Sequence, residues 1–323
     1  MDNSLEVFVL SYNRPDELKK SIHSLLNQTI DGFDIIVLDN ASECDMTSVV
    51  NSFGNSRVRL IQNKTNINSF NNFCKAIQLA SKEYLVIFHD DDCMSPQLLE
   101  VELGLFKKHP ETGFIATGVT LVSDKDKMMK FETFDPANVR FEMIGANAGI
   151  LDAYFSSKVF GFSSIMYRTN LVKTVNPHPE RYAQVIDRAF MLNLSIQAPV
   201  IFLQAPNYNA LQHANQDSYK RSWDFRHDLN LINLYLQASK ESKKEYLQTK
   251  IIKSLAQLYS LRSPIPSIRS VFTTIEFVTF KNKLTFFMYL PFFVLRYKTL
   301  SLIRSAFPLG YNSLVKLKRK LKN

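Results

Sequence analysis

An α/β fold on a mostly parallel sheet is what this sequence predicts, on two observations. Short apolar runs of strand length alternate with amphipathic stretches of helical period through the first 122 residues, the pattern of β-α units whose sheet is covered on both faces. Hydrophobic residues make up 46% and charged residues 21% of the 323, an ordinary globular balance that excludes wholesale disorder and fits one large or two modest domains.

Leu5 to Leu10 reads as the first strand, and Pro15-Asp16-Glu17 opens a helix with Leu18, Ile22, Leu25 and Leu26 on one face. Ile35 to Leu38 is a second strand and Val58 to Ile61 a third, and Asn68 stands where it can cap a helix carrying Phe70, Phe73 and Ile77. Tyr84 to Phe88 is a fourth strand, followed by Ser95-Pro96 as N-cap and first position of a helix with Leu98, Leu99, Val101 and Leu105. Regularity then weakens. Gly113 to Val122 and Phe162 to Tyr167 read as strands, Lys125 to Asn147 as a charged loop region and Ala183 to Leu194 as a helix. Beyond Trp223 the chain reads as helices interrupted at Pro264 and Pro266.

Open α/β sheets bind ligands beyond the carboxyl ends of their strands. That rule selects Ser11-Tyr12-Asn13-Arg14, Asp39-Asn40-Ala41-Ser42, Asn63 to Asn68 and His89 to Asp92, all polar. The most pointed is the last, where Asp90, Asp91 and Asp92 follow an apolar strand. Three adjacent carboxylates repel one another unless a cation or water relieves them, so a hard divalent metal carrying phosphates is the natural partner, with a solvated turn as the alternative.

Ser11-Tyr12-Asn13-Arg14-Pro15 after the first strand, Asp39-Asn40-Ala41-Ser42 after the second and the aspartate triplet after the fourth together resemble the family 2 glycosyltransferases of the GT-A fold, over about residues 4 to 220. The resemblance implies a GT-A nucleotide-diphospho-sugar transferase fold, Rossmann-like with a mostly parallel sheet, over residues 1–223. Its nucleotide-binding half would be about 1–122 and its acceptor half about 123–223, with a C-terminal helical extension over 224–323. It further implies an inverting transferase that moves a sugar from a UDP- or dTDP-sugar to a glycan or lipid-linked saccharide.

Site residues follow from the same resemblance. Ser11, Tyr12, Asn13 and Arg14 are nucleotide-sugar-binding candidates; Asp39 is the acceptor for the imide N–H of a uracil or thymine base, an Asx turn through Asp39 or Asn40 being the alternative. The chain has Asp-Asn here where many members have Asp-Asp. Asp90 and Asp91 lie toward the donor, Asp90 nearer the ribose and metal-bound water, and Asp92 ligates Mn2+ or Mg2+, which stabilises the departing nucleoside diphosphate. His213, in a late segment similar to the family's His-x-x-Gln-x-Ser, is a metal or phosphate ligand. Asp187, in Val185-Ile186-Asp187-Arg188, is the general base, with Ile186 standing where many members have Glu. Asn66, Asn68, Asn71 and Asn72 fall where related enzymes contact the nucleotide sugar, although four asparagines so close can equally cap and solvate a helix start. An ion pair with Arg188 is the plain alternative for Asp187.

Charge is unevenly placed. Residues 1–223 carry 21 Lys+Arg against 25 Asp+Glu and residues 224–323 carry 18 against 5, so the net +9 belongs to the last hundred residues. Leu284 to Leu295 is apolar around Pro291 and flanked by Lys281, Lys283, Arg296 and Lys298, which predicts attachment of residues 281–323 to an anionic membrane surface; a core helix with a solvated basic end is the alternative. No stretch reaches the roughly 18 apolar residues of a membrane span, and the first six residues run straight into a strand without a secretory pattern. With three cysteines lacking metal-ligand spacing, these features predict a cytoplasmic protein, peripheral on the inner face of the cell membrane. A sugar-nucleotide nucleotidyltransferase is a second reading, but Ser11-Tyr12-Asn13-Arg14 has no glycine. A nucleic-acid-binding module is a third; it leaves the aspartates unexplained, so no nucleic acid is expected.

Overall fold

The computed structural model describes residues 4–131, 135–146, 149–155, 158–204, 208–212, 224–241, 245–261 and 285–291, with single positions at 271, 275, 283 and 293. In chain order the first half runs β1 (Leu5–Ser11), α1 (Pro15–Leu26), β2 (Asp34–Asp39), α2 (Met46–Asn51), β3 (Val58–Gln62), α3 (Ser69–Leu79), β4 (Tyr84–His89), β5 (Asp92–Met94), α4 (Leu98–Lys108), β6 (Phe114–Thr117) and β7 (Thr120–Val122). It continues with β8 (Phe141–Ile144), α5 (Gly149–Phe155), β9 (Met166–Arg168), α6 (Thr169–Val172), α7 (Pro179–Tyr182), α8 (Ile186–Gln197), β10 (Val200–Leu203), β11 (Tyr208–Leu211), α9 (Phe225–Glu241) and α10 (Glu245–Leu261).

Eight strands form one sheet in the order β3-β2-β1-β4-β9-β6-β10-β8, and β5-β11-β7 form a second. Strands β3, β2, β1 and β4 are parallel neighbours, as are β6 and β10, while β9 and β8 run against their neighbours. Hence the alternation of apolar runs: Val7, Val9, Ile35, Val37 and Val86 are each fully buried in the centre of the sheet, as both faces of a parallel sheet must be. Leu18, Ile22 and Leu25 of α1 join the same core.

Where the sequence pattern was irregular, the structure departs from it. The run from Gly113 to Val122 breaks at Gly118, because β6 is buried within the large sheet whereas β7 lies half-exposed in the small one. Of Phe162 to Tyr167 only the end is strand; Phe162–Ser164 is one tight helical turn, closed by Ser164 Oγ donating to the Gly161 carbonyl at 2.6 Å. The charged stretch from Lys125 contains β8, antiparallel to β10. Ala183–Val185 is a separate turn before α8, with Ala183 at φ 35°. Nor does Ser95 cap α4. Among the described residues its buried hydroxyl has no hydrogen-bond partner, and Gln28 Oε1, just beyond α1, takes the Leu99 N–H at 3.2 Å.

The chain divides into two compact units, Met1–His227 and Asp228–Asn323. The second is helical where described, with Leu231, Ile232, Leu236, Ile251, Ile252 and Leu255 buried. Cys44, Cys74 and Cys93 are free thiols. Among the described residues no helix is long and apolar enough to cross a membrane.

Candidate active site

The strand order reverses between β1 and β4, which opens a crevice at their carboxyl ends. Register sets the side chains there: Ser11 stands level with Asp39, Asp39 with Gln62, and Leu10 with His89. Asp90 is buried against the β1 end. Its Oδ2 accepts from Ser11 Oγ at 3.0 Å and Tyr12 N at 3.1 Å, and its Oδ1 from Arg14 Nη1 at 3.1 Å. The same Arg14 nitrogen lies 2.9 Å from Asp91 Oδ2. Burial and the adjacent Asp91 charge push the Asp90 carboxyl up to about 6 against the pull of Arg14.

Asp92 faces the other way. Its Oδ2 accepts from Ser163 Oγ at 2.7 Å and from the Tyr208 hydroxyl, with His89 Nδ1 at 3.4 Å. Burial pulls the His89 imidazolium down, but the hydrogen bond and charge of Asp92, with Asp91 and Asp90 behind it, raise it to about 9. The repulsion that the sequence left for a metal to relieve is therefore met in part by Arg14 and His89. Beneath them the buried Ser21 Oγ of α1 lies 2.8 Å and 2.7 Å from the carbonyl oxygens of Asp90 and Asp92, fixing the backbone of the triplet.

A cation fits this chemistry. With its proton displaced, His89 offers one ligand atom, as do Asp91 and Asp92, all within 4.8 Å of one another, a mixed imidazole and carboxylate set suited to Mn2+ and, through the oxygens, Mg2+. Among the described residues nothing donates to Asp92 Oδ1.

Asp39 is fully buried and accepts from the Ser42 N–H at 3.0 Å, the Ser42 hydroxyl and Gln62 Nε2 at 2.9 Å. The turn reading is thus realised, and among the described residues three donors meet the carboxylate's roughly four lone-pair sites. Asn13, at φ 55°, donates its N–H to Ser42 Oγ and accepts from the Glu43 N–H, tying the first two loops together. Tyr12 is 41% exposed beside them. Asn68, at φ 67°, caps α3 through the Asn71 N–H. Asn72 is buried, its amide donating to the Leu38 carbonyl and accepting from Asn63, which also bonds Asn40. Any sugar contact by Asn72 would have to displace these bonds.

Asp187 occupies the first turn of α8, half-buried, and among the described residues it forms no hydrogen bond or ion pair, Arg188 included. Burial and the Asp187 charge hold the Tyr167 phenol well above its ordinary range. Ring contacts from His89 to Phe162, Phe73, Phe190 and Tyr167 connect the triplet to this helix. His213 lies outside the described residues. Sequence reasoning missed Ser163, Tyr208 and Gln62 as partners of the aspartates, because residues so far apart in the chain leave no spacing signal.

The sequence model described as Glycosyl transferase family 2 matches residues 6–175, just over half of the chain. The chain belongs to that family. Among its relatives, an uncharacterized glycosyltransferase of Haemophilus influenzae is 30% identical over 111 residues, 34% of this chain and 37% of that protein. The UDP-Glc:alpha-D-GlcNAc-diphosphoundecaprenol beta-1,3-glucosyltransferase WfgD of Escherichia coli is 23% identical over 149 residues, 46% of this chain and 58% of its own. The family 2 chain thus spans about half the length of the curated relatives it matches. Among solved structures, S. aureus TarS 1-349 in complex with UDP-GlcNAc superposes with a TM-score of 0.60 at 14% identity, covering 90% of this chain and 80% of that one. The mannosyltransferase PcManGT from Pyrobaculum calidifontis in complex with GDP-Man and Mn2+ gives 0.53 at 15% identity, covering 98% and 80%. These likenesses carry the fold, which is GT-A with a helical C-terminal part.

Proposed function

We propose that the chain is an inverting glycosyltransferase that takes a sugar from a UDP- or dTDP-sugar and places it on a glycan or lipid-linked saccharide. The observation that carries this reading is the meeting of Arg14, Asp90, Asp91, Asp92 and His89 at the β1–β4 switch point of a family 2 chain. The names of its relatives support the acceptor class, since WfgD is named for a diphosphoundecaprenol-linked sugar. GT-A glycosyltransferases commonly use divalent metals, and His89, Asp91 and Asp92 would hold Mn2+ or Mg2+ here. Bound there, the cation supplies Lewis-acid stabilisation of the departing diphosphate.

The chain's own residues divide the remaining work. Ser11, the Tyr12 N–H and Arg14 fix Asp90, leaving Asp90 and Asp91 toward the donor, and Asp39 receives the base N–H. Asp187 takes the acceptor hydroxyl proton as that oxygen bonds to the anomeric carbon; the carbon–phosphate-oxygen bond breaks on the opposite face and the nucleoside diphosphate departs. Residues 281–323 hold the enzyme on an anionic leaflet at the cytoplasmic face, near lipid-linked acceptors.

The test pairs a screen of UDP- and dTDP-sugars, with Mn2+ and lipid-linked acceptors, with the variant Asp187→Asn. Transfer is expected from one donor class and is expected to fall about 10²- to 10⁴-fold in the variant, with nucleotide binding unchanged by calorimetry. Full turnover by Asp187→Asn removes Asp187 as base, and no donor turned over by the wild type removes the transferase reading.

A further inference from the structure

We infer that Ser163 and Tyr208 are positioning residues that commit Asp92 to holding a divalent cation through Oδ1 alone. The inference rests on the metal reading proposed above and deepens it.

A carboxylate oxygen has two in-plane lone pairs. Asp92 Oδ2 is already crowded: Ser163 Oγ at 2.7 Å and the Tyr208 hydroxyl donate to it and His89 Nδ1 stands 3.4 Å away, in a pocket where Asp92 is 3% exposed. A cation reaching Oδ2 would have to break one of these buried bonds, which leaves a buried hydroxyl unsatisfied. Oδ1 carries no such obligation among the described residues.

Both donors are themselves constrained. Ser163 Oγ accepts the backbone N–H of His89 at 3.2 Å and donates to Asp92. Its turn is braced by Ser164, which donates to the Gly161 carbonyl and accepts the Thr117 N–H at 3.2 Å. Tyr208 opens β11, whose Ala210 pairs with Asp92 itself, so strand pairing fixes the height of the phenol beside the carboxylate. The ring fits only because residue 161 is glycine: a Cβ there would lie 2.6 Å from Tyr208 Cδ1. Two distant segments thus converge on one oxygen.

Hydroxyls that merely satisfied a buried carboxylate would not influence which ion it prefers. One-oxygen binding does, because Mn2+ and Mg2+ sites are octahedral and compact, whereas Ca2+ takes more ligands and accepts both oxygens of one carboxylate. The test titrates Mn2+ and Ca2+ separately into the full chain, following free Mn2+ by electron paramagnetic resonance and Ca2+ by calorimetry. Ser163→Ala and Tyr208→Phe are each expected to weaken Mn2+ about 10- to 100-fold and to shift the Mn2+-over-Ca2+ preference toward Ca2+ by about tenfold, with Ser163→Thr restoring both. An unchanged preference in both variants overturns the inference even where absolute affinities fall. Asp92→Asn separates the two levels: if it abolishes Mn2+ binding while the other variants keep wild-type preference, the metal reading stands and the positioning role fails. If it keeps wild-type Mn2+ affinity, both fail. Should Tyr208→Phe not fold, the Ser163→Ala and Ser163→Thr pair decides alone.

Discussion

One nitrogen of Arg14 is shared between Asp90 at 3.1 Å and Asp91 at 2.9 Å, with the two carboxylates 4% and 10% exposed. Removing it leaves two anions side by side with little water. The folded-state Asp90 carboxyl already stands at about 6, above its unfolded value, so the folded chain binds the extra proton and stability falls as pH rises from about 4 to 6. Arg14→Gln drives that carboxyl higher and widens the window. The variant is therefore expected to lose about 1–3 kcal/mol at pH 8, discounted because Arg14 is 31% exposed, and much less at pH 5. Thermal melts at the two pH values check the sign; equal losses at both exclude Arg14 as the relieving cation. Much of this cluster is legible in the sequence, since Ser11 to Arg14 and Asp90 to Asp92 follow apolar runs that announce strand ends. Ser163 and Tyr208 are not, because they reach Asp92 across 71 and 116 residues and only the strand pairing of β5 with β11 and the turn at Gly161 bring them there.

At the scale of elements, α4 carries an internal conflict. Leu98, Leu99, Val101, Leu105 and Phe106 bury one face, and Glu102 falls on that face with both carboxylate oxygens buried and without a hydrogen-bond partner among the described residues. Burial pushes its carboxyl well above the usual range. Its folded pKa exceeds its unfolded one, so the penalty is absent below about 4.3 and grows as pH rises toward neutrality. Glu102→Met keeps the volume and removes the buried acid. It is expected to stabilise the protein by about 1–3 kcal/mol at pH 7 and by almost nothing at pH 4, read from denaturant midpoints; a loss of stability at pH 7 would show that Glu102 has an acceptor role in the fold. The helix itself was readable from its apolar period, but its start was not, because Gln28, just beyond α1, replaces the expected cap. The same holds more widely. Strands β1, β2 and β4 are parallel neighbours and buried, so their apolar runs are long and unambiguous, whereas β6, β7 and β9 are three or four residues each and divide between two sheets. Such short segments carry too few residues for a period to show.

For the molecule as a whole, the open physical question is where its charge acts. All of the excess lies in Asp228–Asn323, and after Glu276 the sequence has ten Lys and Arg and no acidic residue. Most of 281–323 lies outside the described residues, but the apolar segment before the tail is described in part. Phe286 is fully buried and Lys253 Nζ stands 4.2 Å from the Tyr289 ring, while Phe287 and Met288 are 48% and 67% exposed. One side is therefore packed within the protein and the other is exposed. Interfacial attachment needs both an apolar side and nearby bases, each basic residue contributing about 1 kcal/mol near anionic headgroups. Changing Lys316, Lys318, Arg319, Lys320 and Lys322 to Gln in the full chain should thus lower co-sedimentation with phosphatidylglycerol-containing vesicles at least about tenfold. Salt at 0.5 M, which shortens the screening length to about 4–5 Å, should do the same to the wild type. Phosphatidylcholine vesicles should bind both proteins weakly and alike. Binding to both vesicle types that neither salt nor the five substitutions alters would show that the basic tail is not the anchor, and would leave Phe287 and Met288 as the surface to test next.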